Sequence, residues 1–195
     1  MVDHQQILNY WFGTEQDDLA VIKQQTGLWF GKNEQTDQQI RQLFEPMIDA
    51  VVCDRRLPVQ QSLAQIILLD QMTRNIYRNQ GRAFAFDPLS LQMVQEGLAR
   101  GEDRQLRPVE RVFYYLPLEH SERLTNQNRS VELFQALADE VPEAWQEAFE
   151  GFLDYAIRHQ VIIERFGRFP HRNVLLGRDS TPEELEFLTQ PGSSF

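Results

Sequence analysis

Apolar residues recur along this chain every three to four positions, the spacing that gives a helix one buried stripe. Ile40, Phe44, Ile48 and Val51 form one stripe, Leu91, Val94 and Leu98 a second, and Phe152, Ala156, Ile163 and Phe166 a third. No segment alternates apolar and polar residues for long. The Asn-Gly and Asp-Gly pairs that favour two-residue hairpins do not occur. The pattern predicts an all-α protein, a compact array of about eight or nine helices. Helix punctuation agrees with it. Pro58 opens a segment that runs to Tyr77, and Asp87-Pro88 reads as an N-cap followed by proline at the first helical position. Thr181 and Glu184 have capping-box spacing around Pro182. Trp11-Phe12-Gly13 returns as Trp29-Phe30-Gly31, and each glycine is expected to end a helix in the left-handed conformation. No Gly/Ser-rich or Pro-rich linker interrupts the 195 residues, which predicts a single domain over 1–195.

Three segments place charges on helical faces that are otherwise apolar, and local rules are broken most often at functional or strained sites. In residues 63 to 78, Leu63, Ile67, Asp70, Arg74 and Tyr77 share one face of a helix that is apolar nearly all round. Asp70 and Arg74 have i,i+4 spacing, so they either neutralise one another inside the core or point into a cleft. In residues 111 to 124, Val112, Phe113, Leu116 and His120 line one face, and Pro117 predicts a kink or break beside Glu119, His120, Ser121 and Glu122. His120 is there either a core histidine with a bonded ring or a reactive group. Residues 158 to 178 hold five arginines against one acid, Glu164, a local balance of +4. His159 lies on the Phe152–Phe166 stripe, Gly167 is placed to close the helix, and Pro170 turns the chain.

Composition narrows the function classes. With 42% hydrophobic residues the chain can build a core, and a net charge of −10 disfavours nucleic acid and anionic membranes as partners. The longest apolar run, residues 66 to 69, is far too short to cross a bilayer. The N-terminus shows neither a basic leader nor an apolar signal core, so the expected location is cytoplasmic. Cys53 stands alone in an apolar helical stretch and reads as a small buried hydrophobe.

The same three segments carry a resemblance. Leu68-Leu69-Asp70-Gln71 with Arg74-Asn75, then Phe84-Ala85-Phe86-Asp87, Tyr115-Leu116-Pro117 and His120-Ser121-Glu122, resemble motifs of the bacterial domain-of-unknown-function family 924. The most specific piece is Arg165-Phe166-Gly167-Arg168-Phe169-Pro170-His171-Arg172-Asn173, followed by Leu176-Gly177-Arg178 and the Ser180–Glu184 run. Met72 and Thr73 depart from the pattern, where Phe and Pro are more usual. The resemblance implies a tetratricopeptide-like fold of antiparallel helix pairs. It implies no activity and no catalytic residues.

Two functions fit the candidate residues. The first is a binding protein whose pocket takes a small anionic molecule or an acidic peptide. Guanidinium groups grip carboxylates and phosphates in a bidentate manner. The expected ligand-binding residues are Arg74, Asn75, Arg165, Arg168, His171, Arg172, Asn173 and Arg178. The alternative is a cofactor-free enzyme in which His120 or His159 acts as general acid or base, oriented by Asp70 or Glu122 and aided by an arginine. No nucleophile elbow, phosphate loop or dinucleotide fingerprint occurs. His120, Glu122, His159 and His171 are of metal-ligating type, yet the helical H-E-x-x-H spacing is missing, so neither a metal nor a cofactor is assigned.

Overall fold

Asp3, Asp17 and Asn33 each accept hydrogen bonds from backbone N–H groups of the turn that follows, and these caps open the first three helices. They are α1 (His4–Phe12), α2 (Asp18–Phe30) and α3 (Glu34–Ile48). The computed structural model describes residues 1–51 and 57–194; Cys53 lies outside the described residues. The elements that follow are α4 (Val59–Ile66), α5 (Thr73–Ile76), α6 (Asp87–Ala99), α7 (Pro108–Glu119), α8 (Leu124–Glu140), α9 (Glu143–Phe166) and α10 (Pro182–Phe187). Short 3-10 turns lie between some of them, and no strand occurs among the described residues. The protein is all-α, as the periodicity predicts.

The segment that reads as apolar all round is the centre of the structure. α4 runs without a break into a π-helical stretch, Ile67–Met72, and then into α5. Residues 62 to 73 are buried throughout. α4 packs on α1, α6 and α7, while α5 packs on α3. π-helical turns are rare and occur mostly at functional sites, and this one contains Asp70. α7 is buried from Val112 to Glu119 and passes between α6, α8 and the central rod. The expected break at Pro117 does not occur. The helix runs through Pro117, which stands in its last turn, and ends at Glu119 with His120 as C-cap.

The repeated Trp-Phe-Gly motif has a packing reason. Trp11, Phe12 and Trp29 all meet Phe113 edge-on, with ring centroids 5.5, 5.5 and 4.6 Å away. The Trp29 indole N–H donates to the carbonyl of Trp11 at 2.9 Å. The two glycines behave differently from each other. Gly13 has φ of 72°, but Gly31 is extended at −77°. Gly31 is needed for closeness instead, because a Cβ there would lie 2.2 Å from the Gly27 carbonyl oxygen. Gly167 ends α9 in the left-handed conformation, as expected. Thr181 and Glu184 form the predicted capping box of α10. Asp87 is not an N-cap. It is the first residue of α6, Phe86 holds the cap position, and the Asp87 carboxylate is engaged elsewhere.

The contact of α6 with α7 yields a stability test. A Cβ at Gly97 would lie 1.8 Å from the hydroxyl of the fully buried Tyr114. Gly97→Ala should therefore destabilise the fold by about 1–3 kcal/mol. Gly151, exposed within α9 with open space around it, should gain about 0.5–1 kcal/mol on substitution by Ala. Urea unfolding of both variants checks the opposite signs.

Candidate functional site

Asp70 is fully buried, and a carboxylate in such a place must be answered by donors. Nδ1 of His120 lies 2.9 Å from each of its oxygens, and Nε2 of Gln71 donates to Oδ2 at 2.6 Å. Burial works to raise the Asp70 pKa, but the charge and hydrogen bond of His120, the charge of Arg74 and the Gln71 hydrogen bond together outweigh it and hold the carboxyl below its ordinary value. Asp70 and Arg74 do not hydrogen-bond each other, and each pairs with a residue distant in sequence, Asp70 with His120 and Arg74 with Asp87. Arg74 turns outward and grips Asp87 through Nη2, at 2.8 and 2.9 Å from its two oxygens, and also donates to the carbonyl of Ala83.

His120 lines one wall of a cleft of about 590 Å³, together with Phe84, Asp87, Leu91, Pro117 and Arg172. Arg172 enters from the 3-10 turn Pro170–Arg172 that follows α9. Its Nη1 donates to the carbonyl of His120 at 3.0 Å and reaches Asp87 at 3.5 Å. Its Nε is buried with no hydrogen-bond partner among the described residues. The guanidinium groups of Arg74 and Arg172 lie over the same Phe84 ring, 4.6 and 4.7 Å from its centroid. Two cations thus share one carboxylate. Burial, and then the neighbouring Arg74, lower the Arg172 pKa to about 10.

Behind His120 lies a second buried group. Glu119, the last residue of α7, is 2% exposed, and its Oε1 is 3.0 Å from Nδ1 of His159 on α9. Oε2 of Glu119 is buried without a hydrogen-bond partner among the described residues. His159 Nδ1 also donates to the carbonyl of Tyr155 at 2.8 Å, which fixes the proton on Nδ1 and makes Nε2 the lone-pair atom of the neutral ring. Burial, and then the charge of His120, push the His159 pKa well below its ordinary value. Burial, followed by the Asp70 charge, pushes Glu119 well above its own. The His120 and His159 rings are 5.9 Å apart.

The structure therefore draws Asp70, Arg74, His120, His159 and Arg172 together, keeps Glu122 in the cleft wall with His171 beside the same cations, and engages the other candidates in separate pairs. Glu122 does not orient a histidine. It takes a bidentate grip from Arg178 at 2.7 and 2.9 Å and accepts the N–H of Phe169, which ties the arginine-rich turn to the α7–α8 junction. Burial opposes these donors, but they hold its carboxyl below the ordinary value. Arg168 holds Glu184, whose carboxyl that pair lowers to about 2. Arg165 lies at the surface on Glu183. Asn173 bridges Ser180 and Arg178, and Asn75 joins Arg78 on Asp37 at the α3–α5 contact. His171 is partly buried beside Phe169. Two participants were missed in the sequence. Asp87 looked like a cap, and Glu119 carried no spacing signal; only its place beside His120 after Pro117 pointed to it.

A model of the family described as "Bacterial protein of unknown function (DUF924)" matches residues 7–192. The chain belongs to the DUF924 family. It is also similar to the solved structure of a protein of unknown function from Agrobacterium tumefaciens. That protein is 33% identical, with a TM-score of 0.76, over 95% of this chain and 96% of the other. No curated protein matches. The motif segments that line the cleft and tie down the arginine-rich turn all fall inside the DUF924 match.

The cationic surroundings of this DUF924 cleft predict a pH dependence. Burial, then the charges of Arg172, His120 and Arg74, lower His171 to about 4, with Glu122 opposing them. Below pH 6.5 the unfolded chain binds a proton at this ring that the folded chain refuses until about 4. Its contribution is thus complete above 6.5 and lost as pH falls through that window. Between pH 7.5 and 5, His171→Gln should lose about 2 kcal/mol less stability than the parent. Parallel urea titrations with equal slopes would contradict this.

Proposed function

We propose that the cleft beside His120 binds a small anionic molecule. The observation that carries this reading is the shared carboxylate: Arg74 and Arg172 both lean on Asp87, so two guanidinium groups have one cleft-wall carboxylate between them. Arg123 also lines the cleft, and Glu122 in the same wall is already held by Arg178. A phosphate or carboxylate group would meet guanidinium donors already held in place by Phe84 and Asp87, and preorganised donors lose little entropy on binding. Phe84, Leu91 and Pro117 supply an apolar side for the body of the ligand. A volume of about 590 Å³ suits a small molecule better than a peptide. Arg165, Arg168 and Arg178 support this site from outside it, through their own acids.

Thermal unfolding against inorganic phosphate and a panel of small mono- and dicarboxylates tests the reading. At least one anion should raise the melting temperature of the parent in a saturable manner. Arg172→Gln should abolish that rise, whereas Arg165→Gln, altered at a surface pair far from the wall, should keep it. A rise that survives Arg172→Gln, or no rise with any anion, overturns the proposal.

A further inference from the structure

We propose that Glu119, His120 and His159 form a binding site for one divalent transition-metal ion of the zinc type. One donor atom from each of the three side chains lies within 4.8 Å of the others. Donors on a single tetrahedral zinc, each about 2.0–2.1 Å from it, stand about 3.3 Å apart, so modest side-chain rotation closes the set. Two histidines and a glutamate are a donor set that zinc and related ions accept with a position left open.

Three independent features support the assignment. The first is ring orientation. Metal-binding histidines donate their other ring N–H to a carboxylate or a backbone carbonyl, which fixes the tautomer. Both rings here do so, His120 through Nδ1 to the buried Asp70 and His159 through Nδ1 to the Tyr155 carbonyl. Nε2 then keeps the lone pair of each ring, and because Oε1 of Glu119 lies 3.0 Å from the protonated Nδ1 of His159, the oxygen left for the ion is Oε2. The second is the Oε2 oxygen of Glu119, buried and without a hydrogen-bond partner among the described residues. The third is charge. Glu119 is a buried carboxyl that no arginine or lysine pairs among the described residues, whereas the nearby Asp70 already has His120. Buried charges are paired or bound to metal, and a divalent cation supplies the missing counter-charge. The site lies where the π-helical stretch places Asp70 against the end of α7.

The test uses the full-length chain, stripped with a chelator and dialysed into buffer free of phosphate and carboxylate. Zinc chloride is titrated by calorimetry and cobalt(II) chloride by visible absorption. The parent should bind one ion per chain. Glu119→Gln and His159→Gln should weaken zinc at least 100-fold. Asp70→Asn, which replaces the charged acceptor on His120 Nδ1 with a neutral amide that can present a donor in its place, should weaken it about 10- to 100-fold. His171→Gln, outside the donor set, should bind as the parent does. A parent that takes up no stoichiometric zinc, or a Glu119→Gln protein with parental affinity, overturns the proposal. In that outcome the Asp70–His120 pair is metal-free and suited to proton transfer instead. Should the variants fail to fold, the cobalt spectrum of the parent decides. Intense bands of a four- or five-coordinate ion support the site, and the weak bands of a six-coordinate aqua ion refute it. The outcome does not depend on the anion reading, because phosphate binding at Arg172 is measured separately on the stripped protein.

Discussion

A fully buried carboxylate on the central rod sets the terms for much of this structure. Asp70 cannot hydrate, so donors must be brought to it, and those available are the His120 ring and the Gln71 amide. Removing one partner of a buried charged pair leaves the other uncompensated, at a cost of about 3–5 kcal/mol. The requirement runs outward through the fold. α7 must end where His120 can turn back to Asp70, and the chain must widen into a π-helical stretch at the same level. With Asp70 occupied by His120, Arg74 is directed to Asp87, and Asp87 in turn draws Arg172 to the cleft wall. One desolvated charge thereby links the central rod to the C-terminal turn.

The arginine-rich turn after α9 is mostly an anchor. Arg168 and Arg178 close on Glu184 and Glu122, while Asn173 and the Phe169 backbone join the same network. Phe169, fully buried, packs with Ile162 and Ile163 in a small separate cluster. A short segment with so little apolar area needs directional bonds to hold it, and bidentate guanidinium–carboxylate pairs provide them. Arg172 is the exception. It is nearly as buried as its neighbours in the core, stacks on both Phe84 and Phe169, and leaves its Nε without a partner among the described residues. The anchor therefore also delivers one buried cation to the cleft.

How much was legible beforehand differs by residue. Ile40, Phe44 and Ile48 form a buried stripe as the spacing requires, and Thr181 caps α10 through Glu184 as the motif requires. Asp70, Arg74 and His120 stand out as charges on apolar faces, and the structure gathers all three. Asp87 was misread because Asp-Pro at a helix start is an ordinary cap signal, and nothing local distinguishes a carboxylate that caps from one that reaches across to an arginine. At Pro117 the helix does not break but stops two residues later, at Glu119. Gly31 was misread because closeness to Gly27, rather than backbone handedness, excludes a side chain there.

Amino-acid order alone determined the all-helical class, the Thr181–Glu184 capping box, the stop at Gly167, the central placement of residues 63 to 78 and the local surplus of arginine. Those properties depend on neighbours within about one helical turn, which the sequence displays directly. The tertiary structure decided which acid each arginine meets, and so which of them serve the fold and which face the cleft. Those partners are far apart in the chain: 50 residues separate Asp70 from His120 and 85 separate Asp87 from Arg172. A charge selects the best-placed partner that packing brings within reach once water has been excluded. Residue types and spacing leave that choice open until the helices have docked.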